Sequence, residues 1–138
     1  LGACIGAIVG LVAITPAAGF VTLSQSIVIG FIAAIVSNIA ISVNKKSEID
    51  DTLDVFPSHG VGGIVGMLLT SVFAKDVGLI YGEYETMLYH LIALVLVALF
   101  SFVGTYIILK IVDKLLTLRV KEYQEEKGLD LSQQGENI

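Results

Sequence analysis

One imidazole stands alone inside an apolar run. In Asp54-Val55-Phe56-Pro57-Ser58-His59-Gly60-Val61-Gly62-Gly63, His59 is the single side chain able to titrate between Val55 and Ala74. Ionisable groups at membrane depth are costly, and they usually line interior routes for ions or protons. A neutral imidazole offers one ring nitrogen as donor and the other as acceptor, so it can orient a small polar molecule or pass a proton along a path. At that depth a core histidine bonded to a neighbouring helix and a functional imidazole are both open readings. Asp54 suits a structural task better, capping the helix that follows or pairing with a basic loop residue. His90, beside Tyr89, reads as an interfacial residue. No nucleophile and no set of metal ligands accompanies Asp54 and His59. No catalytic residue, metal or cofactor is therefore expected, and an enzyme is disfavoured.

The elements that must hold this imidazole follow from composition. The chain has 138 residues, 55% of them hydrophobic and only 15% charged, with a mean hydropathy of +0.87. Soluble domains carry about a quarter charged residues. The charges are also bunched: none lies between Leu1 and Asn44, and none between Glu85 and Lys110. The net charge of -5 belongs to loops and tail, and gives no argument for nucleic-acid binding. The single cysteine, Cys4, has no internal disulfide partner and is expected to be an inert packing residue. The chain opens at Leu1 without methionine or basic leader, directly in an apolar stretch, which reads as a piece of a longer membrane protein.

Four apolar stretches, about residues 2–20, 26–43, 55–74 and 87–109, approach the roughly 20 residues a helix needs to cross a bilayer. Helix is required because backbone groups in lipid must be paired internally. The expectation is thus an all-α, polytopic transmembrane bundle. Lys45 and Lys46 follow the second span, and Lys110, Lys114, Arg119, Lys121 and Lys127 follow the fourth. Between spans three and four only Lys75 stands, beside Asp76, Glu83 and Glu85. The positive-inside rule places the first two regions, and the C-terminus, in the cytoplasm. Tyr81, Tyr84 and Tyr89 then fall at the outer interface. Small residues recur at helical spacing: Gly2, Gly6 and Gly10 in span one, then Gly30, Ala33, Ala34, Ser37, Asn38 and Ser42 in span two. In span three His59, Gly62, Gly63, Gly66 and Thr70 fall together. Such stripes let helices approach closely, so His59 is expected to point into the bundle. Span four lacks a stripe and reads as peripheral. From Asp113 a charged helix is expected to about Lys127, with Gly128 as its stop.

Three stretches together resemble the ammonium transporter (Amt/Rh) family: GAIVGLVAITPAAGFV from Gly6 to Val21, DTLDVFPSHGVGGIVG from Asp51 to Gly66, and RVKEYQEEKGLDLSQQGE from Arg119 to Glu136. They cover essentially the whole chain, in order. The resemblance implies the C-terminal part of an eleven-helix inverted-repeat fold: residues 1–112 as its last four membrane helices, and 113–138 as a cytoplasmic regulatory tail. It implies a homotrimer with one pore per subunit. His59 matches the second of the family's paired pore histidines, Val55 a pore-lining position, and Asp54 an acidic residue near the cytoplasmic mouth. The first pore histidine, the aromatic gate and the outer cation site belong to upstream helices. In the tail, Gly128, Leu129 and Asp130 match a regulatory G-L-D pattern, and a PII-type signalling protein is the implied partner in some members. Gln134 stands where many members have histidine, and the chain ends Asn137-Ile138, which puts regulation more in question than transport.

The chemistry fits that resemblance. Removing a bare ammonium ion from water costs many kcal/mol, and a solution is to separate its proton and pass neutral ammonia through a dry bore. Burial disfavours the charged imidazolium, so the expectation is a neutral His59 hydrogen-bonded to a histidine supplied by upstream helices. The competing readings are an Rh-like channel for ammonia and other gases, and an ammonium sensor signalling through the tail. The expected setting is the cell membrane, with lipid around the spans.

Overall fold

The computed structural model describes residues 2–47 and 49–135. Glu136, Asn137 and Ile138, which close the tail pattern, lie outside the described residues. Every regular element among those described is helical. In chain order these are α1 (Gly2–Ile14), α2 (Leu23–Asn44), α3 (Phe56–Phe73), a 3-10 turn (Leu79–Tyr81), α4 (Glu85–Leu115), α5 (Glu122–Lys127) and a π-helical turn (Asp130–Gln134). The first turn of α3, Phe56–Val61, is itself π-helical. Helices α2, α3 and α4 are long and apolar enough to cross a membrane. The chain divides into two units, Leu1–Leu96 and Val97–Ile138.

The first span differs from its expected extent. Helix α1 stops at Ile14, and residues 15–20 form turns. The residue before a proline disfavours helical backbone, and Pro16 has no N–H to give the preceding turn. Thr15 Oγ1 instead donates to the Leu11 carbonyl at 2.8 Å. At 1.5 Å per residue, the 13 residues of α1 cover roughly 20 Å. The second span starts earlier than expected because Thr22 caps α2. Its N–H donates to Gln25 Oε1 at 2.8 Å and its hydroxyl accepts from Gln25 N at 3.4 Å, a capping box.

In the first unit, α1, α2 and α3 pack through narrow strips of small residues. Val9, Ala13 and Ala17 meet Ile29 and Ala33 in the buried cluster, with Ile5, Val65, Leu69 and Phe73 around it. Ile29, Ala33, Ser37 and Ile41 are the buried strip of α2, four residues apart. The strip on α3 is Ser58, Gly62, Gly66 and Thr70. Gly66 is where α1 comes closest: a Cβ there would lie 2.6 Å from Ala13 Cα. Backbones meet that closely only where the side chain is hydrogen. A hydrogen bond from Lys75 N to the Phe20 carbonyl, 2.8 Å, ties the end of the α1 turns to the end of α3.

Two expected stripes serve only in part as contacts within the chain: Ala33 and Ser37 are buried, while other members are open. Gly2 and Gly6 have nothing within 4 Å of where a Cβ would be, and Gly6 and Gly10 line an open surface with Gly30 and Phe31. Asn38 and Ser42 likewise face outward on α2. An ideal helix shows two neighbouring small-residue rows, and the row carrying bulkier Ile29 and Ile41 buries more apolar area. Helix α4 contributes no buried residue. At its start, Ser71 Oγ donates to Met87 Sδ at 3.1 Å.

In the second unit the charged segment is not one helix. Helix α4 ends at Leu115, and α5 starts only at Glu122. Arg119 spans the break with a two-point ion pair to Glu125, 3.1 and 3.2 Å. This hydrogen bond holds the exposed guanidinium above its ordinary pKa. Gly128 does stop α5, at φ +89°, where its N–H donates to the Glu125 carbonyl at 3.1 Å. A β-carbon is disfavoured at that backbone angle.

Candidate functional site: the His59 groove

The site is built from the first turn of α3 and the loop before it. Helix starts leave N–H groups without partners. Here the Asp51 carboxylate takes two of them, Val55 N at 2.8 Å and Phe56 N at 2.9 Å. Pro57 has none to satisfy, and Ser58 N donates to the Asp54 carbonyl at 3.0 Å. Asp54 itself turns through the left-handed region, φ +52°, a conformation Asp and Asn adopt more readily than most residues. The cap expected of Asp54 is thus made by Asp51. The sequence carried a signal for this: Asp51 stands ahead of the Val55 start in a loop of short polar residues, but four positions is further than an ordinary cap reaches.

With the cap supplied elsewhere, the Asp54 side chain is left to line a groove of about 350 Å³. Its residue is 8% exposed, and the hydrogen bonds it makes run through its backbone. His59, Val55, Ser58, Thr52 and Leu53 line the same groove, and Cys4, Ile5 and Ile8 of α1 form the opposite side. The structure therefore brings His59, Val55 and Asp54 together on one groove. The lining surface is mostly apolar, with a carboxylate, an imidazole, a thiol and the hydroxyls of Thr52 and Ser58 as its chemical groups.

His59 is placed differently from its expected face. The packed strip begins at Ser58, and His59 is an exposed residue beside it, turned onto the open groove. Cys4 is also exposed on the groove and is not a packing residue. Ser37 lies at the floor of the bundle, fully buried, its hydroxyl without a hydrogen-bond partner and near Gly62. Among the described residues no three His, Cys, Asp or Glu side chains converge as metal ligands. His90 is occupied locally: its Nδ1–H donates to the Thr86 carbonyl at 2.8 Å.

The tail residues singled out in sequence form a compact turn of their own. Gly128 ends α5, Ser132 N donates back to its carbonyl at 3.0 Å, and Asp130 opens the π-helical turn. Leu129 stays 46% exposed, so the turn presents an apolar side chain to its surroundings.

Comparison with known proteins places the chain in a family. The profile of the Ammonium Transporter Family matches residues 1–138. An ammonium transporter of Bacillus subtilis is 44% identical over 144 residues, covering 99% of this chain and 36% of that protein. Ammonium transporter Amt1 of Archaeoglobus fulgidus is 41% identical over 141 residues, with the same 99% and 36% coverage. The chain thus spans about a third of the length of these curated relatives. The crystal structure of Candida albicans Mep2 superposes with a TM-score of 0.79 at 38% identity, over 88% of this chain and 30% of that one.

Proposed function

The chain belongs to the Ammonium Transporter Family, and from that premise we propose that it supplies the C-terminal part of an ammonium/ammonia conduit in the cell membrane. The groove at the start of α3 is the part of the pore this chain contributes. Val55, Ile5 and Ile8 give it dry walls, which a bare ammonium ion can enter only at a desolvation cost of several kcal/mol. His59 supplies the polar group within those walls. One ring nitrogen can donate to the lone pair of ammonia and the other accept from its N–H or from a second imidazole. Ammonia is conducted, with or without a relayed proton, and Asp54 stands at the mouth, where a carboxylate favours a cation.

The lysines after α2 and after α4 put both regions in the cytoplasm under the positive-inside rule, so the C-terminus is cytoplasmic and the protein multi-pass. The open apolar faces of α1, α2 and α4 need cover from the rest of the subunit, from lipid and from neighbouring copies in a homotrimer. The Gly128-Leu129-Asp130 turn is the regulatory element and the contact for a PII-type partner.

The observation that supports this reading is the shared groove: His59, Val55 and Asp54 line one mostly apolar groove with Cys4 on its opposite side. Cys4 is the chain's single cysteine and supplies the test. In proteoliposomes holding the complete transporter, with its other thiols removed, a small methanethiosulfonate reagent should slow ammonium flux. The Cys4→Ser protein should be insensitive. Equal sensitivity of both, or of neither while Cys4 is fully labelled, would show that the groove is not on the conducting path.

A further inference from the structure

We propose that the C-terminal end of α4 is a binding site for one anionic glycerophospholipid, its acyl chain lying in a groove over Gly104 and its phosphate held by Lys110 and Lys114. The inference goes beyond the conduit reading and takes from it only the cytoplasmic C-terminus. The groove has a volume of about 380 Å³ and is lined by Leu99, Phe100, Val103, Gly104 and Ile107. Its floor is Gly104, where nothing lies within 4 Å of the place a Cβ would occupy. No lining residue carries a polar side chain, so the groove accepts hydrocarbon.

Two lysines stand where that hydrocarbon would end. At about 100° per residue, Phe100, Val103, Ile107, Lys110 and Lys114 fall within about 80° of arc on α4, while Asp113 lies about 120° round from Ile107. Lys110 and Lys114 are about 9 and 15 Å beyond Gly104 along the axis. Lys110 Nζ sits 5.6 Å from the centre of the Tyr106 ring, a cation–π contact that keeps the ammonium beside the turn nearest the groove. Neither lysine forms an ion pair among the described residues. Depth agrees with a headgroup. The 31 residues of α4 measure about 46 Å against a hydrocarbon core of about 30 Å, so its last turns stand outside the core. The uncharged stretch ends at Lys110. Helices of neighbouring copies carry their lysines on the same side of the membrane under the positive-inside rule, and would bring like charge. Lipid of the cytoplasmic leaflet brings phosphate instead.

The test uses the complete transporter in mixed detergent–lipid micelles, where leaflet and orientation play no part. Its failure is therefore distinct from failure of the conduit reading, which flux decides. The probes are phosphatidylglycerol and phosphatidylcholine, each with a diazirine on the acyl chain, and the readout is the label recovered on residues 99–107. One lysine near an anionic surface is worth about fivefold, so phosphatidylglycerol should label that segment about tenfold or more above phosphatidylcholine. Lys110→Gln together with Lys114→Gln should bring the two lipids within about twofold of each other. The same double change at Lys45 and Lys46 removes equal charge from the same side, and should leave the parent's preference unchanged within about twofold. Gly104→Leu fills the floor of the groove and should lower labelling by both lipids. If that protein does not assemble as the parent does, the two lysine pairs decide. Equal labelling by the two lipids in the parent, a preference that survives loss of Lys110 and Lys114, or an equal loss on changing Lys45 and Lys46 would overturn the proposal. So would full labelling of an assembled Gly104→Leu protein. Label displaced by a soluble acidic peptide, but not by unlabelled phosphatidylglycerol, would assign the face to a protein and overturn it too.

Discussion

Gly66→Ala should be the most damaging single-methyl addition to the first unit. A Cβ at Gly66 would lie 2.6 Å from Ala13 Cα and 2.8 Å from its carbonyl carbon, where ordinary contact begins at 3.4 Å. The Ala13 carbonyl oxygen is nearer still, so helices α1 and α3 must part by at least about 0.8 Å (3.4 minus 2.6), and the atoms in the way are backbone, which cannot rotate aside. Overpacking of this kind costs about 1–3 kcal/mol. At tenfold per 1.4 kcal/mol this is roughly a fivefold to 150-fold change in the folding equilibrium. Gly62→Ala is the internal comparison, one turn away on the same strip. There a Cβ would meet Val9 Cγ1 at 3.4 Å and Ser37 Oγ at 3.5 Å, so the change should stay within about 1 kcal/mol, offset by the smaller unfolded ensemble of alanine. The assay is reversible denaturation of the complete transporter in mixed detergent, followed by circular dichroism. Gly62→Ala costing as much as Gly66→Ala would refute the packing argument, as would an unperturbed Gly66→Ala.

Two further substitutions separate backbone from side-chain roles. Asp54→Asn should leave stability within about 0.5 kcal/mol, because Asn adopts the left-handed φ of +52° and the cap is made by Asp51. Asp54→Ala should cost about 1 kcal/mol more, since a plain β-carbon is strained there; denaturation midpoints decide the order. In the tail, Gly128→Ala meets the same kind of strain at φ +89°. Limited proteolysis should cut faster around Lys127 in that protein, and an unchanged cleavage rate would mean that α5 does not depend on its glycine stop.

How much of this was legible in the sequence varies with the kind of information each feature needs. Uncharged length gave the helical class and the number of apolar segments, because backbone pairing in lipid leaves few alternatives. The family resemblance gave the whole-chain assignment, which the profile match over residues 1–138 supports. The end of α1 was misjudged because hydropathy continues through Ala17, Ala18 and Phe20 while Pro16 stops the helix. The packed faces were only half legible. Spacing shows which residues share a row, but Gly6 and Ala33 look equally suitable for contact, and the choice between rows belongs to the neighbouring helix. Helical spacing puts His59 near the glycine face, whereas the packed strip runs through Ser58, Gly62, Gly66 and Thr70 and leaves His59 exposed beside it. Asp51 was missed for a related reason: its reach to Val55 and Phe56 depends on the left-handed bend at Asp54, a tertiary detail.

The account rests on His59 lying on the route that ammonia takes. The most direct measurement is ammonium flux through the complete transporter in proteoliposomes, parent against His59→Ala, with potassium flux recorded alongside. Loss of ammonium flux, or conduction that no longer discriminates against potassium, is the result expected. Ammonium flux and selectivity both equal to the parent's would contradict it.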